Sequence, residues 1–417
     1  MVKRIFLHIL FLTATLLASA GEDTSVKIFD KRFRTLITEV EDNFMSPPVI
    51  RMNTHDRIII KFDEIGEDNS YLEYRLIHCN ADWQPSRLVE SEYVDGFNSQ
   101  KIDDYAYSSS TFVHYVNYII TVPNDDMRIL HSGNYLLQVY DPDDPDTILL
   151  QTRFMVTENS VWTDGGVTTR TDRGHYGEWQ QATFDIDTEG FGRIEPFQDL
   201  TVIVGQNNRE ATMRTVKAPL RTSGTKITYD HLQDLIFPAS NEYRRFESTS
   251  NGFAGMHVDS LKYMGSNYHV WLKTDHERAS SNYSYDQTQH GRFKVNEYNA
   301  TDPDIGADYI TVHFNLEMPE LKNADVYIDG AFSHDSFNEE NRMTYDEETQ
   351  SYKAQIPFKQ GSYNYQYVVK QRGEVSPPSP ARIEGNKYET QNEYGVWVYY
   401  HPAGARADRL ISYRTLE

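Results

Sequence analysis

The sequence predicts an all-β protein built from tandem antiparallel β-sandwich domains. Short apolar or alternating segments recur along the chain, and turn-forming residues separate them. Tyr is abundant, with 29 residues among 417. Tyr on alternating segments favours half-buried strands over helices. An apolar repeat of helical period is almost absent, so we expect no substantial helical domain.

The first twenty residues predict a signal peptide for export. Lys3 and Arg4 precede the apolar stretch 5–17, and Ala18–Ala20 reads Ala-Ser-Ala, an A-x-A cleavage site. The stretch is too short for a permanent membrane helix. No Cys follows the cleavage point, so a lipid anchor is not expected. We expect an exported, soluble mature protein that begins at residue 21; an uncleaved anchor is the alternative.

Charge and cysteine content limit the possible partners. The formal charge is −22, and loss of the leader makes it more negative by two. Such a chain repels phosphate backbones and anionic lipid surfaces, so nucleic acid is not an expected partner. Cys79 is the only cysteine. It cannot form an internal disulfide, and the fold must be held by packing.

Residues 21–160 are expected to form an N-terminal β-sandwich. Its strand segments are "RIIIKFDEI", "YLEYRLIHC", "TFVHYVNYIITVP", "GNYLLQVYD" and "TILLQTRFMV". The last two flank "DPDDPD", for which we expect a solvated hairpin turn. A calcium site is the alternative, but the spacing lacks the Gly and the final Glu of an EF-hand loop. The four carboxylates concerned are Asp141, Asp143, Asp144 and Asp146.

The rest of the chain is expected to divide at residue 302. Residues 161–302 read as a middle β-rich region that opens with a crossing around Gly165 and Gly166. Residues 303–417 read as a C-terminal sandwich. Its strand segments are "YITVHFNL", "ADVYIDGAF", "YKAQIPF", "YNYQYVVK" and "YGVWVYYH".

A short internal echo indicates that two of the sandwiches are related. "SGNYLLQVYD" and "QGSYNYQYVVK" both place Gly-x-Tyr at the start of an alternating strand. The two tyrosines are Tyr135 and Tyr363. A tyrosine at such a strand entry is typical of the tyrosine corner of immunoglobulin-like domains.

"LIHCNADW", residues 76–83, raises the question of an active site. His78 and Cys79 are neighbours on a predicted strand, so their side chains point to opposite faces and cannot form a thiolate–imidazole pair. We interpret Cys79 as a small core residue. Asn80 and Asp82 then predict a turn, with Trp83 folded back onto the sandwich.

The loop that follows carries aromatic residues. Tyr93 and Phe97 bracket Asp95 in "SEYVDGFN". Exposed aromatics on a loop favour a partner-binding surface, and local packing under the loop is the alternative. HExxH, GxSxG, P-loop and CxxC motifs are absent from the sequence. We therefore predict no enzyme, metal site or cofactor, although a pair of glycosidase carboxylates cannot be recognised from spacing alone.

The segment Ala324–Lys370 resembles the early-set type of sandwich that binds glycogen beside amylase-like domains. The resemblance includes a Val-Tyr strand, Gly330, Phe332, Met343 and the Tyr-rich strand after Gly361. It implies an early-set-like third domain. Sugar binding would need flat aromatic platforms, and the relevant loop offers only Phe332 and Phe337.

Longer motifs resemble the type IX secretion system plug proteins. They are "YRLIHCNADWQPS", "SEYVDGFN", "SGNYLLQVYD", "FPASNEYRRFE", "KQGSYNYQYVV" and "NKYETQNEYGVWVYYHPAGARADRLISY", which together span nearly the whole mature chain. The resemblance implies a periplasmic, non-enzymatic protein. Its partner would be the giant outer-membrane translocon barrel, whose periplasmic opening it would close when cargo is absent.

The family has no catalytic motif that could be mapped onto this chain. From the aromatic loop composition we therefore predict Trp83, Tyr93, Asp95 and Phe97 as partner-binding residues. A carbohydrate-binding periplasmic or surface module is the alternative function, and it rests on the third domain.

Overall fold

The computed structural model describes residues 23–417, and this part of the chain is dominated by antiparallel sheets, which confirms the predicted all-β class. The expected signal peptide, residues 1–20, lies outside the described residues. Apolar strand faces meet in three large hydrophobic clusters within the described chain. Each cluster is the core between two facing sheets, so the architecture is three packed β-sandwiches.

The first sandwich comprises the first twelve strands. One sheet has the order β1-β12-β11-β5-β7, with β3 beside β12, and the other has the order β2-β4-β9-β8; a small β6-β10 ribbon and helix α1 (Glu90–Tyr93) lie at one corner. The strands are β1 (Lys27–Ile28), β2 (Phe33–Val40), β3 (Val49–Arg51), β4 (Ile58–Ile65), β5 (Glu73–Cys79), β6 (Val94–Gly96), β7 (Gln100–Lys101), β8 (Tyr105–Tyr107), β9 (Tyr115–Val122), β10 (Met127–Ile129), β11 (Gly133–Asp141) and β12 (Asp144–Thr157).

Alternation along the strands fills this core. Ile58, Ile60 and Phe62 on β4 are fully buried, because every second side chain of a strand points to the same face. The Phe62 ring stacks on Tyr118 of the neighbouring β9 at 5.2 Å between centroids. "DPDDPD" lies at the β11–β12 hairpin, where Asp141 pairs with Asp144.

The second sandwich starts with the next nine strands. The predicted crossing at Gly165 and Gly166 is instead part of β13, which pairs with β16 along its whole length. Helix α2 (Pro196–Asp199) precedes β17, and 3₁₀ turns occupy Glu210–Thr212 and Gln233–Leu235. The strands are β13 (Trp162–Thr168), β14 (Arg170–Thr171), β15 (Gly174–His175), β16 (Trp179–Asp187), β17 (Leu200–Gln206), β18 (Arg214–Val216), β19 (Arg221–Ser223), β20 (Lys226–Tyr229) and β21 (Ile236–Pro238).

The third sandwich follows. One sheet has the order β22-β31-β26 with β28 beside β31, and the other has the order β23-β24-β27-β30-β29 with β25 beside β27. Helix α3 (Pro303–Gly306) and the 3₁₀ turn Ala331–Ser333 connect its strands. The strands are β22 (Arg244–Ser248), β23 (Val258–Met264), β24 (Asn267–Leu272), β25 (Asp275–His276), β26 (Phe293–Val295), β27 (Tyr309–Glu317), β28 (Ala324–Asp329), β29 (Thr344–Asp346), β30 (Ser351–Lys359) and β31 (Gly361–Gln371).

The chain then returns to the second sandwich. β32 (Tyr394–Tyr400) pairs with β17 from Leu200↔Tyr400 to Gln206↔Tyr394, and β33 (Arg409–Leu416) pairs with β32. The expected units 161–302 and 303–417 therefore do not match the strand pairing. β17 has β18 on one side only, and β32 supplies the partner on the other side.

The two Gly-x-Tyr segments have the same local geometry. The Tyr135 hydroxyl donates to the His131 carbonyl at 2.6 Å, and the Tyr363 hydroxyl donates to the Lys359 carbonyl at 2.5 Å. Each tyrosine thus reaches back four residues from a strand entry, as in a tyrosine corner. The sequence echo therefore corresponds to the same tyrosine-corner contact in the first and third sandwiches.

A buried ion pair joins the first and third sandwiches. The Lys359 ammonium lies 2.7 Å from Asp63 Oδ2, and the two side chains are 2% and 1% exposed. Tyr309 donates to the same carboxylate at 2.7 Å and Asn117 at 2.8 Å. Burial raises the pKa of Asp63, and the nearby Lys359 charge opposes that rise. Because the carboxylate has three donors from two sandwiches, the pair fixes one sandwich against the other.

A smaller apolar cluster joins the first and second sandwiches. Met155 of β12 packs with Trp397 and Tyr399 of β32. Close to this cluster, Arg409 makes two hydrogen bonds to the Glu158 carboxylate, at 2.7 and 2.6 Å. The C-terminal hairpin therefore completes the second sandwich and also holds it against the first.

Candidate functional site

The segment 76–83 ends a strand and makes a turn, as the sequence predicts. β5 ends at Cys79, and the Trp83 amide donates to the Asn80 carbonyl at 2.9 Å. Trp83 has φ +63°, in the left-handed region that non-glycine residues seldom adopt. His78 and Cys79 follow one another on β5, so their side chains lie on opposite faces of the sheet.

Both of these side chains belong to the interior. His78 Nε2 lies 3.1 Å from the Ser132 carbonyl, and burial lowers the pKa of His78 to about 4, so the ring is neutral at neutral pH. Cys79 is fully buried, with Sγ 3.8 Å from the Ile77 carbonyl. The interpretation of Cys79 as a small core residue is confirmed.

Trp83 lines a cavity of about 380 Å³ at the junction of the three sandwiches. The guanidinium of Arg153 lies over the indole, 4.4 Å from the ring centroid. Trp83 also packs against the cluster that holds Met155 and Trp397. It therefore folds back onto the sandwich as expected, and it faces the junction.

One wall of this junction cavity is charged. Arg209, from the second sandwich, lies 2.8 Å from the Asp329 carboxylate of the third. The Glu210 amide donates to Asp335 at 3.1 Å. Burial, followed by the negative charge of Asp329, raises the pKa of Asp335 to about 6. Burial also lowers the pKa of His334 to about 4, so this ring adds no positive charge at neutral pH. Arg209 acts on both Asp329 and Asp335.

Tyr93 is not on the surface, which corrects the prediction of an exposed loop aromatic. It is 6% exposed and belongs to the core of the first sandwich. Its hydroxyl donates to the Leu76 carbonyl at 3.2 Å. Helix α1 ends at Tyr93, and this single turn directs the ring inward; the alternative of local packing is correct for this residue.

Asp95 and Phe97 do lie at the surface. Asp95 on β6 faces Arg128 on β10, and the two side chains form an ion pair. Phe97 follows β6 and is 78% exposed. Gly96 between them has φ +110°, and a Cβ there would lie 2.0 Å from the Asp126 carbonyl oxygen. The close approach at Gly96 sets this corner and leaves the Phe97 ring in solvent.

The four predicted partner residues therefore do not form one surface. Asp95 and Phe97 share the β6–β10 corner, Trp83 lines the junction cavity, and Tyr93 is in the core. The charged wall of the cavity is not predictable from any local pattern in the sequence. Its members, Arg209, Asp329 and Asp335, are far apart in the chain, and no local motif marks them.

Residues 23–417 contain no group of three or more His, Cys, Asp or Glu side chains placed to hold a metal ion. Asp141 and Asp144 form local turn hydrogen bonds with Asp143 and Thr147. In the same range, no helix has the length and apolar character needed to cross a membrane.

In the third sandwich, the two loop aromatics considered for sugar binding pack against their own domain. Phe332 contacts Phe358 edge-on at 4.8 Å, and Phe337 contacts Tyr327 at 5.7 Å. Both rings are half-buried against aromatic residues of their own sandwich.

Comparison with known proteins identifies the protein family. Residues 33–158 match the model described as "Type 9 secretion system plug protein 1st domain". The chain is 40% identical to a hypothetical protein from Parabacteroides merdae ATCC 43184 whose crystal structure is known, with a TM-score of 0.91. That match covers 94% of this chain and 98% of the other.

A second structure, alkylpurine DNA glycosylase AlkC from Pseudomonas fluorescens bound to abasic-site DNA, is 9% identical over 30% of each chain. Its TM-score of 0.19 is too low to indicate a shared fold. No curated protein matches the chain. The first sandwich therefore carries the family signature, and the chain belongs to the type IX secretion system plug protein family, a secretion family and not an enzyme family.

Proposed function

We propose that this protein is the periplasmic plug that binds the giant outer-membrane barrel of the type IX secretion system and closes its periplasmic opening when cargo is absent. The observation that supports this function is the match of the first sandwich to the plug-domain model. Membership of the family gives the coarser role, a part in type IX secretion at the cell envelope.

The packing of the three sandwiches suits a stopper. A wide water-filled barrel needs a bulky, rigid body to close it. The buried pair of Asp63 and Lys359 fixes the first sandwich to the third. The cluster around Trp397 fixes the first to the second, and the ion pair of Arg209 with Asp329 fixes the second to the third. Each sandwich is thereby held by both others.

A plug must also leave the barrel, so its interface should be modest and partly polar. The β6–β10 corner has this character, because Phe97 is exposed beside the ion pair of Asp95 and Arg128. We place the barrel contact at this corner. Trp83 contributes by shaping the junction cavity, and Tyr93 supports the corner from inside.

The first experiment is an affinity pull-down of the tagged protein from cell envelopes in mild detergent, followed by mass spectrometry. A very large outer-membrane barrel recovered in near-equal amount is the expected result. The conductance of that barrel in planar bilayers should then fall when this protein is added to the periplasmic side. Recovery of the protein without any barrel, or an unchanged conductance, would overturn the proposal.

Phe97→Ala tests the proposed contact corner. The substitution removes an exposed ring, so the fold should stay intact while barrel binding weakens about tenfold, or about 1.4 kcal/mol. Phe253→Ala, at another exposed ring in the third sandwich, is the matched control. Equal binding by both variants would place the contact elsewhere.

A further inference from the structure

The third sandwich has an open groove of about 990 Å³ on the outer side of its larger sheet. Val270, Val312 and Phe314 point from this sheet into the core. Their neighbours in sequence point the other way, and these include Trp271 on β24 and His313 on β27. The groove thus runs across a sheet face that the plug-domain match does not include.

An aromatic stack stands in this groove. The Trp271 ring is stacked on His313, with 4.4 Å between centroids and 11° between planes. His313 is held in turn by a hydrogen bond of 2.8 Å to His269. Burial, followed by the neighbouring His269, lowers the pKa of His313 to about 4, so its ring is neutral at neutral pH. Trp271 is therefore rigid before any ligand arrives.

On the side of β24 away from His313, the neighbour of Trp271 is a small residue. On β23, Ser260 is the in-register neighbour of Trp271. Both residues line the groove. A small side chain at this position leaves room for a flat ring to lie along the indole.

Hydrogen-bonding groups in the groove are available to a ligand. Ser260 lines the groove beside Trp271, and its hydroxyl can both donate and accept. Gln355 on β30 is exposed and also lines the groove. The Gln355 amide and the Ser260 hydroxyl together supply both donors and acceptors beside Trp271.

The charges in the groove are close to balance. Lys353 is already neutralised by Asp346 at 2.6 Å. The remaining charged side chains in the lining are two cations and two anions: Lys262, Lys273, Asp259 and Glu317. A balanced groove gives no advantage to a strongly charged ligand. The core of a protein–protein interface is usually more apolar than this set of residues.

We propose that this groove binds an uncharged oligosaccharide, with the C–H face of one pyranose ring packed along Trp271 and its hydroxyls bonded to Gln355 and Ser260. Such a ligand is flat and apolar on one face and rich in hydroxyls at its edge, which matches an aromatic ring beside an amide and a hydroxyl. The site is separate from the proposed plugging function and does not depend on it.

The test is native affinity electrophoresis of the full chain in gels that contain hydroxyethylcellulose, glycogen or dextran, with isothermal titration of cellohexaose and chitohexaose. At least one of these uncharged probes should retard or bind the protein. Trp271→Ala should weaken that binding at least about tenfold, while Trp271→Phe should keep part of it. Trp162→Ala, at an exposed Trp of the second sandwich, is the matched control.

Gln355→Ala tests the site without the risk of misfolding that Trp271→Ala carries. Gln355 is exposed on the sheet, so its loss should not disturb the core. This variant should also bind the probe more weakly. No retardation and no heat with any uncharged probe would overturn the proposal. Binding that survives Trp271→Ala would also overturn it. A gel that contains the anionic polysaccharide polygalacturonate is run beside the others, and retardation in that gel alone would overturn it too.

Discussion

Lys359→Met is expected to destabilise the protein strongly, because it leaves the Asp63 carboxylate buried without its counter-charge. The ammonium and carboxylate are 2.7 Å apart and almost inaccessible. Tyr309 and Asn117 still donate to Asp63 after the change, but neither carries a charge. Removal of one partner of a buried pair costs about 3–5 kcal/mol. The ammonium also donates to the Asp304 carbonyl at 2.6 Å, and that acceptor loses its donor as well.

Urea unfolding, followed by tryptophan fluorescence and far-UV circular dichroism, measures this loss. The double variant Asp63→Asn with Lys359→Met is the control, because it removes both charges. It should recover a large part of the lost free energy, since neutral replacement of a buried pair is often tolerated. A loss below about 1 kcal/mol in Lys359→Met, or a double variant no more stable than the single one, would refute the reasoning.

The pH dependence of the stability of Lys359→Met tests the same reasoning independently. Burial already raises the pKa of Asp63, and loss of the Lys359 charge should raise it further. An acid whose folded pKa is raised stabilises the fold at low pH, and that contribution is lost as pH rises through the folded value. The deficit of Lys359→Met relative to the natural protein should therefore shrink as pH falls towards 3.8, the ordinary pKa of an Asp.

Other substitutions probe the core, the corner and an acidic node. Tyr135→Phe and Tyr363→Phe should each lower the free energy of unfolding by about 1 kcal/mol, since a buried carbonyl loses its donor. No loss in either variant would contradict the tyrosine-corner hydrogen bonds. Alanine at Tyr93 should cost about 3–5 kcal/mol, and alanine at Phe97 less than about 0.5 kcal/mol; calorimetry that found equal losses would contradict their placement. Burial raises the pKa of Asp275, but hydrogen bonds and nearby positive charge lower it more, to about 2. Its stabilisation is thus lost as pH falls from 3.8 through 2, and Asp275→Asn should flatten an acid titration of stability there; an unchanged acid limb would contradict this role.

Local features of the fold could be predicted from the sequence because they depend on neighbours in the chain. The turn after Cys79 and the tyrosine corners at Tyr135 and Tyr363 each need only a few consecutive residues. The membership of sheets could not be predicted in this way. A strand such as β32 reads the same whether it pairs with β31 or with β17, and only the assembled core decides between them.

The candidate sites show the same limit. Tyr93 and Phe97 are four residues apart and equally aromatic. The helical turn buries Tyr93, whereas Phe97 follows the close approach at Gly96 and stays exposed. The stack of Trp271 on His313 joins β24 to β27, and no local motif marks the pair. Sites that combine distant strands leave no spacing in the sequence from which they could be found.

The return of the C-terminal hairpin to the second sandwich fixes the order in which the protein can assemble. The first sandwich can close as soon as its own strands are present, whereas β17 must wait until the whole third sandwich has been made before β32 is available. Bringing such distant segments together carries a loop-closure cost and slows folding. Loss of the last two strands would therefore leave the second sandwich as an open sheet with an uncovered apolar face, and the newly made chain is in that state until its final residues arrive.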